Sequence, residues 1–108
     1  MPSYIIGCEE GLHLRHAALL VTTARPFCSD IVIEHDDKAA DAKSILAIMM
    51  LGVQAGEVLT VTARGPDAHG ALRAIEELIC SVFKGERVEM AGSGPLPPSR
   101  EAMVFSAG

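Results

Sequence analysis

Hydrophobic and polar residues alternate along several short stretches of this chain, and a period of two is typical of a half-buried β-strand. The clearest stretch is 58–64, in which Leu59 and Val61 point to the same side. A β-branched run near the start of the chain and a turn signal at Asp36 and Asp37 indicate further strands. In all, four strands are predicted, at residues 4–6, 30–35, 38–40 and 58–64.

Apolar residues at helical spacing predict three helices. The first covers residues 14–25 and ends at Pro26, while a short second helix follows Ser44 and a third follows Asp67. Ser44 and Asp67 are residue types that cap helix N-termini. Because the order contains a hairpin and no regular alternation of strand and helix, the predicted fold class is α+β. It is an open-faced sandwich in which helices cover one face of an antiparallel sheet.

The composition of the chain changes after Gly85. Residues 92–99 are nearly all of the types that favour turns and extended chain, as in linkers. We therefore expect one domain over residues 1–85, followed by a flexible Pro/Gly-rich tail over residues 86–108.

Composition narrows the classes of partner and compartment. The formal net charge of −5 argues against nucleic acid and against an anionic membrane surface as the main partner. Three cysteines without a close pair favour a reducing compartment over a disulfide framework. No apolar run is long enough to span a bilayer, so we expect a cytoplasmic protein without membrane insertion.

The segment 11–17, with the sequence GLHLRHA, carries the candidate chemistry. His13 lies at the predicted start of the first helix, and Arg15 follows two residues later. A helix N-terminus presents N–H groups without intrahelical partners and favours bound anions. A neutral imidazole there can act as a nucleophile while an arginine holds an anionic group. This arrangement predicts a histidine that accepts a phosphoryl group.

Four segments occur in an order and spacing that resemble the HPr family, the phosphocarrier proteins of the bacterial phosphotransferase system. The resemblance runs from about Tyr4 to Phe83. The segments are Gly-x-His-x-Arg at 11–15, Ala42-Lys43-Ser44-Ile45, Met50-Leu51-Gly52 and Gly65-x-Asp67.

The resemblance implies a relay protein and not an enzyme, with no cofactor. Enzyme I, which draws on phosphoenolpyruvate, would phosphorylate His13 on Nδ1, and the group would pass to an enzyme IIA-type partner. Arg15 and the backbone N–H groups of Leu14 and Arg15 would hold the phosphoryl group. The fold implied is a four-stranded antiparallel sheet covered by three helices.

The resemblance also implies a surface for donor and acceptor proteins near the first two helices. Methionine suits a surface that must accept more than one partner. In some HPr proteins a dedicated kinase phosphorylates the serine that matches Ser44, so Ser44 is a candidate regulatory site as well as a cap. The predicted partner-binding residues are Leu12, Leu14, His16, Ile45, Leu46 and Met49.

Two positions depart from the family, which usually has a small residue at Leu14 and proline at His16. We expect His16 to be a surface residue close to His13. These two histidines could also be read as paired metal ligands, with a third from Cys8, His35 or His69. No standard spacing supports that reading, so no metal site is expected.

Two other functions remain open at this stage. The chain could be a regulatory, nitrogen-type relative that controls partner proteins by binding, with phosphorylation only as the signal. It could also be one part of a larger phosphoryl-transfer assembly, because the Pro/Gly-rich tail carries an apolar Met103-Val104-Phe105 near its end.

Overall fold

The computed structural model of this protein describes residues 2–88, which form three helices and five strands. No helix in this part of the chain combines the length and apolar character needed to cross a membrane. The elements in order are β1 (Ser3–Ile5), α1 (Leu14–Ala24), β2 (Asp30–His35), β3 (Lys38–Asp41), α2 (Ile45–Met50), β4 (Val58–Arg64), α3 (Ala68–Ser81) and β5 (Glu86–Val88).

All strand pairs are antiparallel, and the strands lie in the order β3-β2-β4-β1-β5. Every second residue of β2 is buried, as the period of two predicted, and on β4 Leu59 and Val61 are buried while Ala63 is half-buried. Ile33 pairs with Val61, and both side chains belong to the same hydrophobic core as the buried sides of the three helices. The predicted α+β fold with three helices is therefore confirmed.

The number of strands is corrected from four to five by β5, in which Val88 pairs with Ser3 of β1. The three residues Glu86–Val88 are too few to show an alternating pattern, and their partner lies at the other end of the chain. β5 begins directly after residue 85, and the domain boundary predicted there remains a prediction. The rest of the predicted tail, residues 89–108, lies outside the described residues.

Asp67 occupies the N-cap position of α3, but its carboxylate does not cap that helix. Oδ2 accepts from the backbone N–H of Cys28 at 2.9 Å, and Oδ1 accepts from the backbone N–H of Ser29 at 2.9 Å. The Ser29 hydroxyl also donates to Oδ1, and these bonds lower the pKa of Asp67. The predicted capping side chain instead holds the α1–β2 loop against the start of α3.

The loop that leads to His13 is hydrogen-bonded at both of its ends. At its start, the backbone N–H groups of Gly7 and Cys8 donate to the carbonyl of Phe83 at 3.2 and 3.0 Å. At its end, the N–H of Leu12 donates to the carbonyl of Val53 at 3.0 Å. Both anchors belong to the folded core, so the position of the loop is fixed by the end of α3 and by the α2–β4 connection.

The role of β5 can be tested by comparing chains that end at residue 88 and at residue 85. Loss of β5 removes the hydrogen bonds to β1, and each is worth roughly 0.5–1.5 kcal/mol. We expect the shorter chain to lose about 1–3 kcal/mol of unfolding free energy in urea titrations. Equal stability of the two chains would mean that the domain needs nothing beyond residue 85.

Candidate functional site

His13 lies at the N-cap of α1 with an extended backbone, at φ −89° and ψ −179°, and its side chain is exposed. The helix begins at Leu14, so the N–H groups of Leu14 and Arg15 belong to the first turn and have no intrahelical acceptor. The structure thus brings together an accessible imidazole, two donors and the positive end of a helix dipole. This is the arrangement that the sequence predicted for binding a phosphoryl group.

Arg15 pairs with Glu10, which precedes it in the loop; the guanidinium Nη2 lies 3.1 Å from Glu10 Oε1. Both side chains are exposed. An exposed ion pair contributes little to stability, so Arg15 can exchange Glu10 for another anion at low cost. Sequence reasoning missed Glu10, since an acidic residue in a loop gives no signal of its partner.

His16 is buried, with 1% of its surface exposed, so the prediction of a surface residue is wrong. Its Nδ1 accepts a hydrogen bond from the backbone N–H of His13 at 3.1 Å. Its ring meets Phe83 edge-on, with centroids 5.0 Å apart and an interplanar angle of 85°. The helical spacing does indicate that His16 is buried, because it precedes Leu20 and Ala24 on the buried face of α1 at steps of four.

The surroundings of His16 keep its imidazole neutral. Burial lowers the pKa of His16, and the neighbouring Arg15 and His13 lower it further, while Glu10 opposes them. Because Nδ1 accepts from His13, the ring proton of the neutral form lies on Nε2, which is 3.9 Å from Glu10 Oε1. Within residues 2–88 no cluster of three His, Cys, Asp or Glu side chains is placed to hold a metal ion.

Most of the predicted docking residues are exposed, but two are not. Leu12 is only 6% exposed and belongs to the core, so it and the buried His16 cannot form an outer surface. The backbone of Leu12 is also bonded to the core, since its N–H donates to the carbonyl of Val53. The residues that are exposed as expected are Leu14, Ile45, Leu46 and Met49.

The short helix α2 buries only Ile48 and presents its remaining large side chains to solvent. Leu46 is 71% exposed and Met50, which the sequence prediction omitted, is 69% exposed. A six-residue helix cannot bury every side, and large apolar side chains grouped on a surface mark interaction sites. We call the exposed group Ile45, Leu46, Met49 and Met50 the α2 apolar surface.

Ser44 caps the N-terminus of α2, as predicted. Its Oγ accepts from the backbone N–H of Ala47 at 3.3 Å, and its side chain is half-buried at the edge of the α2 apolar surface. A charge added at Ser44 would therefore lie beside exposed apolar side chains.

Comparison with known proteins decides the family. A family model described as the phosphorylation site of the HPr component of the phosphotransferase system matches residues 2–81. The chain belongs to the HPr family. HPr proteins are phosphocarriers and not catalysts in the usual sense, and their partners are proteins of the phosphotransferase system.

Solved HPr structures share both sequence and fold with this chain. HPr from Thermoanaerobacter tengcongensis is 45% identical over 80% of this chain and 99% of its own, with a TM-score of 0.71. The histidine-containing phosphocarrier protein of Mycoplasma is 34% identical over 75% of this chain and 92% of its own, with a TM-score of 0.73. The Bacillus subtilis catabolite repression protein Crh is 39% identical over 66% of this chain and 82% of its own, with a TM-score of 0.61.

The buried neutral histidine makes stability depend on pH. Since His16 has a lower pKa in the folded protein than the ordinary value of about 6.5, the unfolded chain binds more protons between the two values. The free energy of unfolding should therefore fall as pH drops below about 6.5, by up to about 1.4 kcal/mol per pH unit from this group. Urea titrations across this range measure the slope.

His16→Gln removes the titrating ring, so its unfolding free energy should fall less steeply with acid than that of the wild type. His69→Gln is the matched control, because His69 is an exposed histidine on α3. Identical slopes for the wild type and His16→Gln would contradict a neutral, buried His16.

Proposed function

We propose that this protein accepts a phosphoryl group on His13 from phosphorylated enzyme I and passes it to an enzyme IIA-type partner in a sugar-uptake phosphotransferase system. The observation that carries the proposal is the exposed His13 imidazole at the N-terminus of α1, in a chain of the HPr family. It serves as an intermediate carrier, so it is consumed and regenerated in each cycle.

Each transfer step breaks one bond to phosphorus and forms another. The lone pair of His13 Nδ1, the atom that the family resemblance implies, attacks the phosphorus while the bond between the phosphorus and its donor atom on enzyme I breaks. The first-turn N–H groups of Leu14 and Arg15 then face the phosphoryl oxygens, and the helix dipole favours their charge. Arg15 adds a charge-assisted hydrogen bond when its guanidinium leaves Glu10.

The α2 apolar surface supplies a docking face for successive partners. Helix α2 is packed against α1, which carries His13 at its start, so a protein bound to α2 lies near the phosphorylated residue. Methionine side chains adapt their shape to different neighbours, which suits one face that meets both a donor and an acceptor. Leu14 extends the exposed apolar area beside His13 itself.

Phosphorylation by enzyme I and phosphoenolpyruvate tests the role of His13. We expect one acid-labile phosphate per chain in the wild type and background labelling in His13→Ala, measured by intact mass before and after acid treatment. His69→Ala removes another exposed histidine, on α3, and should label like the wild type. Equal labelling of His13→Ala and the wild type would refute the assignment.

A regulatory function is the second candidate, and two observations favour it. One relative is a catabolite repression protein, and Ser44 lies next to the α2 apolar surface, where a phosphate would change binding. In this case the chain controls partner proteins by binding. A phosphorylated protein that passes its phosphate to no enzyme IIA of the organism would favour regulation over transport.

Substitutions at Ser44 separate the effect of charge from that of the helix cap. Ser44→Asp and Ser44→Asn both keep a side chain that caps α2, but only aspartate adds a charge beside the apolar surface. Titration calorimetry should show about tenfold weaker binding of enzyme I, or ~1.4 kcal/mol, for Ser44→Asp and near wild-type binding for Ser44→Asn. If the two variants bind equally well, charge at Ser44 does not regulate docking.

A further inference from the structure

We propose that His16 is a positioning residue for phosphoryl transfer, whose neutral imidazole fixes the main chain of His13 and connects it to the end of α3. This inference rests on the proposed function of His13. His16 itself is not expected to touch the phosphoryl group, because its side chain is buried.

The first contact fixes the nucleophile. The N–H of His13 precedes the helix, and His16 Nδ1 accepts its hydrogen bond from one turn further on, at 3.1 Å. This is the position from which a glutamate or glutamine side chain reaches back to the N-cap N–H in a capping box. The bond restrains the backbone that carries the His13 imidazole, and a reacting group held in place gains rate through orientation.

The second contact fixes the ring of His16. Phe83 is fully buried and meets the His16 ring edge-on. Its carbonyl accepts from Gly7 and Cys8 at the start of the segment 7–12 that leads to His13, which we call the site loop. Phe83, just after α3, thus holds the start of the site loop through its backbone carbonyl. Through its ring it holds His16, and His16 in turn holds the loop at His13.

The other ring nitrogen of His16, Nε2, faces Glu10. His16 Nε2 is 3.9 Å from the Glu10 oxygen that accepts from Arg15. This distance exceeds that of a hydrogen bond, so the positioning role rests on the first two contacts.

The positioning role requires the neutral ring, because a proton on Nδ1 replaces the acceptor with a donor that faces another donor. Arg15 and His13 on α1 oppose that proton and Glu10 favours it. The titratable groups on the loops and helices around the ring are Cys8, Glu9, Glu10, His13, Arg15 and Lys84.

Nuclear magnetic resonance of the wild-type protein tests the hydrogen bond without any phosphotransfer. The ¹⁵N shifts of His16 should show a proton on Nε2 and an unprotonated Nδ1. Hydrogen exchange at the His13 amide should be about tenfold slower in the wild type than in His16→Leu, which keeps apolar bulk but has no acceptor. A proton on Nδ1 at neutral pH would overturn the proposal.

Steady-state phosphorylation by enzyme I tests the effect on transfer. We expect His16→Leu to lower kcat about tenfold with little change in KM, and His16→Gln, whose amide oxygen can accept from the His13 N–H, to stay within about threefold of the wild type. The kcat of the wild type should also fall more steeply on acidification than that of His16→Gln.

The outcomes separate this proposal from the proposed function. If the wild type takes no phosphate from enzyme I, the proposed function fails and the positioning role with it. If the wild type is phosphorylated but His16→Leu is equally fast, or His16→Gln and His16→Leu are equally slow, only the positioning role is overturned. Thermal melting of each variant identifies any that fail to fold, and the wild-type ¹⁵N shifts do not depend on them.

Discussion

The hydrogen bonds from Gly7 and Cys8 to the carbonyl of Phe83 are the constraint on which the site depends. They join the end of β1 to the end of α3, so the loop toward His13 starts from the core. The approach is so close that a Cβ at Gly7 would collide with the carbonyl of Lys84. Only glycine fits where two backbone segments come this near. The start of the loop that leads to His13 is therefore positioned by main-chain contacts.

The site combines exposed groups with buried groups that hold them in place. The groups proposed to meet the phosphoryl group, His13 and Arg15, are exposed, and the side chain of Arg15 is paired with Glu10 at the surface. The groups that hold them in place, His16 and Phe83, are buried and have fixed neighbours. Such an arrangement suits a phosphocarrier, because reacting groups must be accessible while their starting geometry stays constant.

The sequence predicted most elements because their patterns are local. The alternation at 58–64 marked β4 with the bounds observed, and Pro26 placed the end of α1 within one residue. What it missed depends on distant parts of the chain. Asp67 has the chemistry of a cap, yet its carboxylate is bonded to Cys28 and Ser29, almost forty residues earlier. The helical spacing of His16 indicates its burial, but no local pattern connects its ring to Phe83, on which it packs.

The choice of residue at position 16 decides how the start of α1 is restrained. A proline, which the family resemblance places there, fixes φ within the residue itself and needs no neighbour. His16 acts through a hydrogen bond that exists only while the ring is neutral and packed on Phe83. Opening of the α3 end would therefore release the backbone of His13, although the two are far apart in sequence. In this chain the backbone geometry of His13 is coupled to tertiary packing and to pH, whereas a proline would restrain it without either.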